Sequence, residues 1–262
     1  MAQLDSRTKL RSAHRALTEG IRASEDWHDE YRRDKETFKR LLRLEARLEL
    51  DVADYLRDFS LRAPAYVDWT HYGALVAAGS PLFNKDAAAW ADERLDFERA
   101  VIDAITSLIA LGGNAAELKY GINLGFTPLS QSVLEAARTQ VARLVAGVTE
   151  TSRDMIRTAI GQSIDLGESS DLAITRVQAV INNPVRAEMI AQTESVNAYQ
   201  QGIYNFATET QAKTKTWDTI SGACAVCAPL HGQTVDRDDT FSNGIKFPSA
   251  HPRCRCSVIY NY

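Results

Sequence analysis

Residues 38–59 read FKRLLRLEARLELDVADYLRDF, and this stretch decides the fold class of the first part of the chain. Phe38, Leu41, Leu42, Leu48, Val52, Tyr55, Leu56 and Phe59 recur at the spacing that lines one face of a helix, with charged residues between them. Glu45 interrupts the stripe, so the pattern predicts a long amphipathic helix rather than a coiled coil. The opposite face carries Arg32, Arg33, Lys35, Lys39, Arg40, Arg43 and Arg47. Helix is expected over 1–62, with the pattern ending around Pro64.

Further along, Val67–Tyr72 is the best candidate for a short extended piece, and Gly79-Ser80-Pro81 reads as a loop. A second helix is expected over 87–111, stopped by Gly112-Gly113. The stretch 114–126 has no decisive pattern. Thr127-Pro128 reads as N-cap and first residue of a long helix through Leu134, Val141, Leu144, Val148, Met155 and Ile160. Gly167 should end that run. Ser170 should cap a short helix that stops before Asn183, and Pro184 should open the next. After about 210, Trp217, Val235, Phe241, Phe247 and Val258–Tyr260 are separated by Gly, Pro, Asp and Ser, which predicts loop and short strand. There is no internal repeat.

The 262 residues are 45% apolar and 24% charged, enough for a sizeable core. A net charge of -4 argues against a surface that coats nucleic acid broadly. No run approaches ~18 uninterrupted apolar residues, so no membrane span is expected. The charged start, MAQLDSRTKLRSAHR, lacks the apolar centre of a signal peptide and predicts a reducing compartment.

All four cysteines fall near the end, at Cys224, Cys227, Cys254 and Cys256. Such clustering in a reducing compartment favours metal over disulfides, and a redox role for Cys-x-x-Cys lacks a surrounding βαβ pattern. Cys224-Ala-Val-Cys227 is a knuckle, and His251-Pro-Arg-Cys254-Arg-Cys256 supplies the second half. Structural zinc takes four N or S ligands, so five candidates compete for four positions. An extended 254–256 would aim both thiols at one face and favour the four cysteines. A His251–Cys254 pair would instead leave Cys256 over. The reading is a mainly α protein: helical N-terminal and middle regions, then a small irregular α+β module held by structural Zn2+.

Catalytic readings fit less well. His28-Asp29-Glu30 has the His-x-Glu of a zinc deaminase but lies far from the cysteines, and Ala223 stands where that motif needs proline. His231 and Asn243 could serve a nuclease, but His231 sits at a turn before Gly232 and reads as solvent-facing. No Glu-x-Glu, phosphate loop, His-Glu-x-x-His or Gly-x-Ser-x-Gly is present. A nucleic-acid module would use Lys246, Arg253 and Arg255, with Lys213 and Lys215 adding basic character and Asp236, Asp238 and Asp239 offsetting it. Glu194 has two structural readings, a partner for Arg253 or Arg255 or a solvated carboxylate, and one catalytic reading.

Over about 127–262 the chain resembles the minor head, or head morphogenesis, proteins of tailed bacteriophages. The residues that carry this are Arg186-Ala-Glu-Met-Ile-Ala-Gln-Thr-Glu194, Ala198-Tyr199, Gly202, Trp217, Cys224-x-x-Cys227, Leu230-x-Gly232, Phe241 and His251-Pro-Arg-Cys254-Arg-Cys256. One departure is Gln192, where the family often has Arg. The resemblance implies a minor virion protein, made in the host cytoplasm and acting in head assembly with the portal. It further implies contact with major capsid or scaffold protein and a role near packaged DNA or its ejection; that no enzymatic activity is expected rests instead on the lack of a recognisable catalytic motif. On this reading 1–126 is a helical region for portal or virion docking, 127–210 the helical part of the head-morphogenesis domain, and 211–262 the zinc module.

Overall fold

The computed structural model describes residues 27–72 and 87–262. The helix expected over 1–26 and the loop at Gly79–Pro81 lie outside the described residues. Among the described residues six helices are followed by a small sheet: α1 (Asp29–Arg32), α2 (Lys35–Arg62), α3 (Ala87–Tyr120), α4 (Gln131–Asp165), α5 (Ser170–Ile181) and α6 (Pro184–Glu209), then β1 (Thr214–Asp218), β2 (Thr234–Asp236) and β3 (Ser257–Asn261). The expected class, mainly α with a small α+β tail, is what the chain adopts.

Several boundaries differ from expectation, each for a local reason. The first helical run breaks at Arg33–Asp34, because the Asp34 carboxylate accepts from the Thr37 amide at 2.7 Å and starts a new helix. Residues 63–66 and 69–71 form two short 3-10 turns, leaving only Val67 and Asp68 extended in place of the expected piece over Val67–Tyr72. There the Asp68 side chain accepts from the Thr70 amide at 3.1 Å, and the Trp69 indole donates to the Pro64 carbonyl at 2.7 Å. Thr127 and Ser130 make a turn, so α4 opens at Gln131 rather than Pro128. Ser169, not Ser170, caps α5. Gly167 (φ 65°) does end α4, and Pro184 does open α6 behind the Asn183 side chain.

The largest difference is at Gly112-Gly113, where α3 continues without a break. These glycines are packing positions. A Cβ on Gly112 would meet the Tyr199 carbonyl oxygen at 1.9 Å, and one on Gly202 would meet that of Ile109 at 1.9 Å. Helices α3 and α6 thus touch backbone to backbone, and only glycine leaves room. Gly121 (φ 70°) follows the real end of α3. By length and composition α3 can cross a membrane, but Val101, Ala104, Ile105, Leu108 and Ile109 are fully buried within the protein.

The chain divides into two compact units, neither continuous in sequence. One takes the residues up to Glu49, Asp103–Arg138 and Met189–Tyr262; the other takes Leu50–Ile102 and Thr139–Glu188. The second unit centres on the rings of Tyr55, Phe59, Tyr66, Trp90 and Phe97 around the buried Glu93 carboxylate. Arg62 donates to both oxygens of Glu93, at 2.6 and 2.8 Å, and the Tyr66 hydroxyl adds a third bond at 2.6 Å. The Tyr55 hydroxyl supplies a fourth at 3.2 Å, and a charge this deep is tolerated because both oxygens are fully hydrogen-bonded.

The first unit contains the sheet, an antiparallel array in the order β2-β1-β3. Thr216 faces Thr234 on one side and Ile259 on the other. Trp217, Leu230, Phe241, Val258 and Tyr260 form a small core with Cys227, Cys254 and Cys256. Lys215 lies within it, donating to the carbonyls of Arg237 (2.8 Å) and Asp239 (2.6 Å), so it adds no basic surface.

Candidate metal centre

The knuckle closes through the backbone. The amides of Cys227 and Ala228 both donate to the Cys224 carbonyl, at 3.0 and 2.9 Å, and a 3-10 turn, Ala228–Leu230, follows with Pro229 at its centre. That turn buries Cys227 and leaves Cys224 exposed. On the facing segment the Cys254 amide donates to the His251 carbonyl at 3.2 Å. Arg253 takes the left-handed conformation (φ 62°), its amide held by the Thr193 hydroxyl at 3.1 Å. Cys254 and Cys256 are both buried.

Two groups of three donors result, each with all its ligand atoms within 4.8 Å of one another: Cys224, Cys227 and His251, and Cys227, Cys254 and Cys256. Cys227 belongs to both. Its sulfur is 3.7 Å from Cys254 Sγ and 3.2 Å from His251 Nε2, which is also 3.1 Å from Cys224 Sγ. Zinc bonded at about 2.3 Å to sulfur and about 2.0 Å to nitrogen has tetrahedral edges of about 3.8 Å and about 3.5 Å, so the spacings suit such an ion.

The donor chemistry agrees. His251 Nδ1 lies 2.8 Å from the Pro252 carbonyl, which assigns the proton to Nδ1 and leaves the Nε2 lone pair facing the sulfurs. A hydrogen bond from Cys256 holds Cys254 well below the usual thiol range. Burial pushes Cys227 up, and the contact with Cys254 raises Cys256. One thiolate forms readily, but several packed thiolates need a cation to be stable in so dry a place. The cluster can hold a metal ion.

Behind the cluster lies a clamp that the sequence reading did not find. Arg255, between the last two cysteines, donates to both oxygens of Glu45 at 2.8 and 2.9 Å and to the Gln192 carbonyl at 3.3 Å. Its guanidinium carbon sits 3.7 Å from the centre of the Trp27 ring. The Tyr31 hydroxyl donates to the Cys256 carbonyl at 2.8 Å and accepts from Gln200 at 2.8 Å. His28 Nε2 meets the Asp218 carboxylate at 3.1 Å. The signal was present: a glutamate inside an apolar stripe needs a buried cation, and Arg255 lies between two buried thiols.

Residues 154–259 match the family described as phage Mu protein F like protein. The resemblance to head morphogenesis proteins is thereby borne out over that span, and this family implies a phage head morphogenesis protein associated with the virion. The Mu F-like segment begins inside α4, ends in β3 and includes all five candidate ligands. No curated protein and no solved structure matches the chain.

Within the Mu F-like segment the other singled-out residues fall as follows. Arg255 is buried against Glu45 and so does not join the phosphate-facing set considered for a nucleic-acid module, while the half-buried Lys246 donates to the Tyr204 hydroxyl at 2.8 Å. Glu194 accepts from Asn197 at 3.1 Å. His231 is exposed, with Nδ1 3.1 Å from the Thr219 hydroxyl and 3.4 Å from Asp218. Outside that segment, His28 caps α1 instead of approaching the thiols.

Proposed function

We propose that the protein is a minor structural component of a phage head, acting in assembly with the portal, and that one Zn2+ holds its C-terminal module. The observation that carries this is a coincidence of place. The segment that matches the head morphogenesis family is also the one in which five soft donors converge. A metal held mainly by thiolates, with the neighbouring arginine committed to a buried carboxylate, suits a structural rather than a catalytic role. Zn2+ would fix the knuckle against the His251–Cys256 segment and so fasten a sheet whose middle strand, β1, is only five residues long. Partners on this reading are the portal and, during assembly in the host cytoplasm, scaffold or coat protein, with the packaged DNA nearby.

The test is co-expression of the full chain with the portal protein encoded in the same phage genome. Co-purification with portal rings, and presence of the chain in purified virions, is the expected result. Absence from both, or hydrolysis of DNA or consumption of NAD by the purified protein, overturns the reading.

A further inference from the structure

The two groups of donors share Cys227 and nothing else. Within 4.8 Å of one another the donors assemble in threes, and among the described residues no four of the five do so. Two atoms bonded to one ion at about 2.3 Å stand at most about 4.6 Å apart, so a four-coordinate zinc must draw its last protein ligand inward from the other group. An ion that accepts three ligands needs no such movement.

The two threes differ in setting. Cys227, Cys254 and Cys256 form an inner group, all sulfur and all buried. Cys224, Cys227 and His251 form an outer group that opens to solvent at Cys224. Thiolate-rich sets select soft ions, and Cu(I), a closed-shell ion, is satisfied by three such ligands. Charge points the same way. Arg255 stands between Cys254 and Cys256 but is committed to Glu45 at 2.8 and 2.9 Å, so it does not offset the thiolates and metal must. Two Cu(I) bring the same total charge as one Zn2+ and divide it between the groups, where the donors already stand.

We propose that the centre takes two soft monovalent ions, Cu(I) by chemical class, one in each group of three, with the Cys227 thiolate bridging them. This rests on the reading of the cluster as a metal centre and adds a second way of filling it. Two Cu(I) enter as one Zn2+ leaves, so charge balances with every thiolate unchanged.

Anaerobic titration of the full, zinc-loaded chain with Cu(I), supplied as its bathocuproine disulfonate complex, tests this. Copper and zinc are counted by elemental analysis after gel filtration, and X-ray absorption at the copper edge reports the neighbours of each copper. The expected result is two coppers per chain, one zinc released, and a copper–copper scattering component from the shared sulfur. Cys224→Ser, a change at an exposed position, should hold one copper and lose that component. Cys227→Ser should lose it as well. The four cysteines are the only thiols in the chain, so no other sulfur of this kind contributes to the count. Fewer than two coppers in the wild type, two coppers without the copper–copper component, or the component retained in either variant overturns the paired site and leaves a zinc content of one per chain standing. A chain that binds neither zinc nor copper overturns the metal centre together with it.

Discussion

Arg255 and Glu45 stand 210 positions apart in sequence and meet through two parallel hydrogen bonds, both side chains almost entirely withdrawn from solvent. The pair joins α2 to the segment bearing the last two candidate ligands. Removing one partner leaves the other charge buried alone, which typically costs about 3–5 kcal/mol. Glu45→Ala should therefore lower stability by roughly that amount in urea unfolding. Glu45→Ala with Arg255→Met should recover part of the loss. A single variant within about 0.5 kcal/mol of wild type would show that the pair contributes little.

Metal content should be about one zinc per chain, and Cys227, which belongs to both donor groups, should be the least replaceable ligand. Cys227→Ser is expected to lose the metal outright in elemental analysis. His251→Ala and Cys256→Ser separate the two ligand sets, because the one that keeps stoichiometric zinc names the residue outside the coordination sphere. Zinc retained in full by Cys227→Ser would remove the shared-ligand geometry from consideration.

Gly202→Ala should be far more damaging than an ordinary helical Gly→Ala change. The added Cβ would meet the Ile109 carbonyl oxygen at 1.9 Å, and neither backbone can yield without separating α3 from α6. Overpacking costs typically run about 1–3 kcal/mol, and this site should reach or exceed the upper end. Gly161→Ala, where nothing lies near the new atom, is the internal control and should be neutral or slightly stabilising. Equal melting temperatures for the two variants would contradict the close contact.

Lys215 gives a pH dependence of definite sign. Burial pushes its ammonium down to about 8, so between about 8 and the usual lysine range near 10.4 the folded chain holds fewer protons than the unfolded chain. Stability from this group must then rise with pH across that window. Comparison with Lys215→Met isolates it. The stability of wild type relative to the variant should grow from pH 8 to pH 10, and a constant difference would mean that the ammonium is not perturbed.

A fragment spanning 127–262 should not fold as the intact chain does. It keeps all five candidate ligands but loses Glu45, Trp27 and Tyr31, which hold Arg255 and the Cys256 carbonyl. Circular dichroism is expected to show helix without a cooperative melt, with or without added zinc. A cooperative transition matching that of the full chain would show that the clamp is dispensable.

What sequence could show and what it could not divide along physical lines. The stripe from Phe38 to Phe59 and the proline at 184 act locally, through periodicity and backbone restriction, and both were legible. So was the cysteine cluster, because ligand spacing is itself a local signal. Gly112-Gly113 was not, since a glycine that ends a helix and one that admits a neighbouring backbone look alike until Tyr199 is in place. Val67–Tyr72 had strand-like composition, but the Asp68 side chain competes for the backbone there. Glu45 was visible only as a flaw in a pattern, because its partner lies at the far end of the chain.

That separation also sets a timetable for biosynthesis. At translation speeds of about 5–20 residues per second, Arg255 is added roughly 10–40 s after Glu45. Throughout that interval α2 carries an acidic side chain in the middle of an apolar face whose counterpart does not yet exist. The knuckle cysteines likewise precede the second half of their ligand set. Native closure of this unit therefore waits until Arg255 and the cysteines on either side of it have been made, and a chain stopped before Cys254 should have most of its helices but no means of locking them. Nascent-chain proteolysis of such products should find α2 accessible until the final cysteines have been added.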